Sequence, residues 1–370
     1  MKRNDVNMPV DKDVISRERE EDLDVQETVM PPEDIVAFTE SRSCADLFRL
    51  YIKEQLEIQP EFQRGIVWST KDQSLFIDSL IKQLPIPSLC ISLDVKTQKR
   101  IVIDGLQRLW SIIQFLNYQK KDWLLSQSND IDSRISGKKV SYIAEHESVL
   151  FDKLENLTIP ITVIRCDYSK PVHMKYLFQI FRRLNSGGSK LLNQEIRNCI
   201  FQGPLNTLLR SEARSEAWLK ATKTTVAKVS QARFGHEERI LRFFAMYTNW
   251  RNYKGNLSGF LNRFMDDNKS ATESSINRWR DLFQRTLAIV NQINIVDYVQ
   301  KNKNLYEGLL IGVAVNLKEL ERSDVMLLNQ KFQALLKSKP YAEDVREGMA
   351  HTVKVKERLT AAIRAFGEVP

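Results

Sequence analysis

The chain has 370 residues, 42% of them hydrophobic and 28% charged, with a formal net charge of +8. Such a length accommodates about two domains and at least one sizeable core, and the excess of cations favours an anionic partner such as nucleic acid, nucleotide or acidic lipid through electrostatic steering. Charged or amide side chains interrupt every apolar run before it reaches the ~18–20 residues of a bilayer span. The opening MKRNDVNMPVDKDVISREREEDLDVQ lacks the apolar core of a secretion signal, so the sequence predicts a cytoplasmic protein with no membrane partner.

Residues 1–35 are densely charged and hold Pro31 and Pro32, leaving little apolar surface to offset chain entropy; they are predicted to be a disordered tail. An α/β domain is predicted over 36–170 and an α-helical domain over 171–370. Within the first, CADLFRLYIKEQL carries Leu47, Leu50, Tyr51 and Leu56 as an approximate helical stripe. Ser69 and Asp72 then mark the start of a helix that Pro85 and Pro87 close. SLCISLDV and RIVID follow as a strand hairpin, and Leu106, Leu109, Ile113 and Leu116 form the apolar face of the next helix. Residues 119–157 read as loop and short helix, and LTIPITVIR as a further strand. From about 172 onward the periodicity is helical, clearest in EERILRFFAMY, INRWRDLFQRTLAIVNQI and LYEGLLIGVAVNLKEL.

Three segments could carry chemistry. In IDGLQRL a strand runs into a helix at Asp104 and Gly105, and free amides at a helix start form a natural phosphate site that Arg108 would strengthen. The alternative is a capping box, with Asp104 as N-cap and Gln107 as its partner. In PEFQRGIVWS, Gln63 and Arg64 stand on an irregular stretch, and Trp68 either stacks on a base or packs on the core. FRRLNSGGSKLLNQEIRN ends one helix near Leu184 and starts another near Asn193, and between them Asn185, Gly187 and Gly188 form either an anion nest or a helix C-cap. The glycine spacing is not that of a Walker A loop.

Cys44, Cys90, Cys166 and Cys199 show no C-x-x-C pair and are read as buried free thiols. His146, His173, His236 and His351 are scattered and are read as lone exposed residues, so no metal site is predicted.

Taken in order, the three segments resemble the N-terminal domain of GmrSD-type restriction enzymes, a likeness that extends over roughly residues 43–265 and includes LPIPSLCI, ISGKKVSYI, LTIPITVI and RFGHEERILRFFAMY. It implies a ParB/sulfiredoxin-like α/β fold with the helical part behind it. It also implies binding and hydrolysis of a nucleoside triphosphate, with Mg2+ as a candidate companion ion, in the service of DNA restriction and phage defence. Asp104, Gln107 and Arg108 carry over as catalytic residues. Gln63, Arg64, Gly105, Arg108, Asn185, Gly187 and Gly188 carry over as nucleotide contacts. One position departs: the family's Asp-Gly-Gln-Gln-Arg is Asp-Gly-Leu-Gln-Arg here, and Leu106 removes an amide that could touch nucleotide or water. The HNH nuclease domain of larger members is not recognised in the sequence, so a separate nuclease is the expected partner beside DNA. The competing expectation is a non-catalytic DNA-binding or adaptor module with a degenerate nucleotide site.

Overall fold

The computed structural model describes residues 30–58, 68–184, 191–295, 303–342 and 352–367. They fall into two compact units, Val29–Leu191 and Leu192–Pro370. The first holds strands β1 (Val36–Ser43), β2 (Leu56–Glu57), β3 (Leu89–Asp94), β4 (Arg100–Asp104) and β5 (Thr158–Cys166). Its helices are α1 (Cys44–Ile52), α2 (Thr70–Ile81), α3 (Leu106–Leu116), α4 (Val140–His146), α5 (Ser148–Asn156) and α6 (Pro171–Leu184).

The five strands make one mixed sheet in the order β1-β5-β3-β4-β2. β3 and β4 are the predicted antiparallel hairpin, while β5 runs parallel to β3 and antiparallel to β1. Periodicity does not reveal β1, because this edge strand leaves Val36 and Phe38 exposed and so lacks a consistently buried face. The stripe from Leu47 also breaks earlier than predicted: α1 ends at Ile52, Glu54 takes a positive φ, and Leu56 belongs to β2.

α2 starts as predicted. Ser69 Oγ accepts from Asp72 N–H at 3.2 Å and the Asp72 carboxylate accepts from Ser69 N–H at 3.0 Å, a reciprocal cap of a kind whose loss costs about 0.5–2 kcal/mol. Leu47, Ile77, Val102, Ile112, Phe115 and Ile161 lie in the core of this unit. Their burial from three helices and two strands fixes the sheet face on which α3 rests.

The second unit is helical from Asn193–Ile200 to Thr352–Gly367, so the order of a mixed sheet domain followed by an all-helical region agrees with the sequence. Trp218, Phe243, Phe244, Phe283 and Phe332 are buried in it. Helices Lys303–Val315 and Thr352–Gly367 approach closely at Gly312, where a Cβ would lie 2.7 Å from the Ala362 carbonyl oxygen. Helix Asn193–Ile200 is polar yet wholly buried. Arg233 grips Glu195 with two hydrogen bonds, at 2.9 and 2.6 Å, and Arg197 donates to Asn262, Gln194, Glu238 and Ser258. Buried charges paired and hydrogen-bonded in this way avoid the large cost of an isolated ion. Among the described residues, no helix is long and apolar enough to cross a membrane.

Candidate functional site

β4 ends at Asp104, which lies opposite Cys90 of β3. The chain enters α3 through Gly105, whose φ of +90° is left-handed, a conformation that costs a residue with a side chain roughly 1–2 kcal/mol. A Cβ at this position would also sit 2.3 Å from Leu89 Cδ2. Both facts favour glycine.

Gly105 is therefore the N-cap, and it offers no side chain to the amides of the first turn. This corrects the capping-box alternative. Asp104 stands one residue too early, still in the strand, and its carboxylate accepts from Arg108 Nη2 at 3.0 Å instead. Gln107 does not reach back to the cap; its Oε1 accepts from the Trp68 N–H at 3.3 Å.

Arg108 closes the turn from the other side. Its Nη1 donates to the Pro87 carbonyl, and its Nη2 also reaches the Ser88 carbonyl at 3.5 Å. Proline has no N–H to offer its surroundings, and Arg108 supplies donors to this proline-containing turn. The Arg108 side chain is only 14% exposed against 40% for Asp104. Burial pushes the guanidinium pKa down and the Asp104 charge opposes that shift; the group stays protonated at neutral pH. Burial, assisted by the charge of Asp104, pushes the Cys90 thiol up to about 12.

Trp68 resolves in favour of packing. Its ring centroid is 5.6 Å from that of Phe76, it rests against the core, and Gln73 Nε2 donates to its carbonyl at 3.0 Å. Gln107 thus ties the end of the PEFQRGIVWS segment to the start of α3. Gln63 and Arg64 themselves lie outside the described residues, as do Asn185, Gly187 and Gly188. α6, which leads into the third segment, lies against β4. Leu106 is half-buried and packs on the core, in register with buried Leu109, Ile113 and Leu116.

Sequence reading missed the carbonyls of Pro87 and Ser88 as partners of Arg108. The signal available was LPIPS itself, a stretch rich in acceptors and poor in donors.

All four cysteines are free and buried, as predicted. His173 corrects the reading of exposed histidines: it is 2% exposed. Its Nδ1 accepts from the Asp167 N–H at 2.9 Å, so Nε2 carries the hydrogen and donates to Asp34 at 2.9 Å. Among the described residues, no group of three or more His, Cys, Asp or Glu is placed to hold a metal ion.

Residues 45–202 match the family model of the GmrSD restriction endonuclease, N-terminal domain. The matched span begins in α1, contains all three segments singled out from the sequence, and ends just beyond helix Asn193–Ile200. No curated protein and no solved structure matches the chain.

Proposed function

With a GmrSD restriction endonuclease N-terminal domain over residues 45–202, this chain has a restriction-associated part, and we propose that it binds a nucleoside triphosphate at the β4–α3 turn, hydrolyses it slowly, and acts with DNA and a separate nuclease. The observation that carries the reading is the start of α3: a glycine N-cap without a capping side chain, behind an Arg108 guanidinium held within one turn. A helix start whose cap residue has no side chain to offer, the positive end of the helix dipole and a nearby fixed cation are together suited to phosphate oxygens. The missing Cβ of Gly105 lets backbone and ligand approach.

In this reading the amides of Leu106 to Arg108 and the Arg108 guanidinium hold phosphate. Asp104, the more open of the two ion-pair partners, acts on the attacking water, and Gln107 positions the preceding segment through Trp68. Mg2+ would arrive with the phosphates, take Asp104 as its one protein carboxylate and offset phosphate charge there. Gln63, Arg64, Asn185, Gly187 and Gly188 are assigned as further nucleotide contacts on the resemblance of their segments.

A second reading, a DNA-binding or adaptor module without turnover, is favoured by one observation: Leu106 packs on the core, and Gln107 and Arg108 already brace neighbouring backbone. One experiment separates the two. The purified chain and its Arg108→Ala variant are incubated with each of the four NTPs, with and without DNA, and followed for binding and phosphate release. The proposal expects binding of at least one NTP, slow phosphate release, and a loss in the variant on the order of 1.5–3 kcal/mol for a charged hydrogen bond. A melting curve of each form controls for the bracing of Pro87 and Ser88 that Arg108→Ala also removes. Binding without any release selects the adaptor reading, and unchanged binding in Arg108→Ala removes Arg108 from the site.

A further inference from the structure

On the sheet unit's surface, away from the turn in sequence, α4 carries an ordered column of side chains. The rings of Tyr142 and His146 are stacked with centroids 4.2 Å apart and planes 10° from parallel. Lys138 places its Nζ 4.8 Å from the Tyr142 centroid. His146 lies one helical turn after Tyr142, and Lys138 reaches the same ring from the segment that leads into α4. The imidazole is also fixed in orientation: a carbonyl only accepts, so His146 Nδ1 carries the hydrogen that it shares with the Tyr142 oxygen at 3.2 Å.

The column is half in solvent, with Tyr142 42% exposed and the His146 side chain 49% exposed. Such an i, i+4 pair contributes only about 0.2–0.5 kcal/mol to a helix, and both rings forgo burial. Further lysines stand near the start of α4. Ser141 donates from N–H and Oγ to the Asp122 carboxylate at 3.1 and 2.7 Å, which fastens the turn bearing exposed Lys120 and Lys121 beside the start of α4. Lys139 adds a fourth ammonium, 3.8 Å from Asp122. Carboxylates oppose this charge: Asp122, engaged by Ser141, Glu145, 3.9 Å from His146, and Glu147 at the C-cap of α4.

We propose that Lys138, Tyr142 and His146 form a stacking platform for an unpaired nucleobase of single-stranded DNA, with Lys120 and Lys121 as contacts for the adjoining phosphates. The inference rests on the reading that this chain acts with DNA. A base laid on the outer imidazole face extends the column by one layer, and every base has a π-face to offer, so recognition is tolerant of sequence. A duplex keeps its bases stacked internally and cannot offer one without unpairing it. The platform therefore predicts preference for single-stranded over duplex DNA, which a purely electrostatic surface does not.

The test titrates the full chain with a fluorescent single-stranded oligonucleotide containing 2-aminopurine, and with the matching duplex, at several salt concentrations. Expected are tighter binding to the single strand, quenching of 2-aminopurine, and an affinity that falls steeply with salt. His146→Ala should lose roughly tenfold in single-strand affinity together with the quenching, as removal of a stacked ring does, while His146→Trp retains both. Lys120→Glu with Lys121→Glu should weaken binding and flatten the salt slope by about 1.4, the change expected when two phosphates of a single strand are no longer neutralised. Each variant is checked for an unchanged melting curve. Equal affinity for single strand and duplex, or a His146→Ala chain that binds and quenches like the natural one, overturns the platform while leaving DNA association standing. Failure of the natural chain to bind either DNA overturns the platform and the DNA part of the proposed function together, and leaves the nucleotide part to its own assay.

Discussion

Leu106 is the residue on which the chemistry of the β4–α3 turn depends most. It replaces a polar amide in the resembled motif, and the structure places it half-buried against the core, in register with Leu109 and Ile113. An apolar side chain there stabilises packing but cannot orient water. Leu106→Gln should therefore raise phosphate release at saturating NTP while lowering stability, by up to about 1.5–3 kcal/mol if most of the side-chain burial is forfeited. Parallel phosphate-release and denaturant-unfolding measurements check both halves. Rapid release by the natural chain, unimproved by the substitution, would mean that Asp104, Gln107 and Arg108 suffice.

A second expectation at this scale concerns thiols. Burial pushes Cys44, Cys90 and Cys166 up to about 12, with nearby carboxylates adding to the shift for Cys90 and Cys166. The thiolate is the reactive form, so the folded protein should resist iodoacetamide at a pH where the unfolded chain is alkylated at all four cysteines. The folded values lie above the unfolded ones, so the stabilisation is full below the ordinary thiol range and is lost as pH rises from there toward about 12. Fast alkylation of Cys90 in the native protein at mildly alkaline pH would contradict this.

Among the elements, α2, the β3–β4 hairpin and α3 were legible because their signals are local: Ser69 and Asp72 at a helix start, an unbroken run of β-branched residues in RIVID, and an apolar stripe after Gly105. β1 was not, because an exposed edge strand has no buried face to report. The bracing of Pro87 and Ser88 by Arg108 was not legible either, since the contact spans some twenty residues and depends on sheet register. The same limit hid the role of NQEIRN: by composition this polar helix is a surface element, yet Glu195 and Arg197 are fully buried because Arg233, Glu238, Asn262 and Ser258 meet them from distant positions. Glu195→Ala would leave Arg233 buried without that carboxylate, at a cost of roughly 3–5 kcal/mol. Urea unfolding measures it, and a loss well below about 1 kcal/mol would show that the pair contributes little to the helical unit's stability.

For the whole molecule, the order of the motifs carried more than any one of them. Taken alone, Asp104 and Gln107 fitted a capping box as well as a phosphate site, and the structure removed the first by placing the N-cap at Gly105. The family match over residues 45–202 ties the three segments to a restriction-associated domain, and the Gln107–Trp68 hydrogen bond joins the described ends of two of them. The proposed function requires phosphate to seat on the amides at the start of α3. Hydrogen–deuterium exchange of the natural chain, with and without a saturating NTP and Mg2+, reads those amides without altering any side chain. Slowed exchange in peptides covering Asp104 to Leu109 is the predicted result. Saturable NTP binding that leaves those peptides unchanged, and protects only peptides elsewhere, would contradict it.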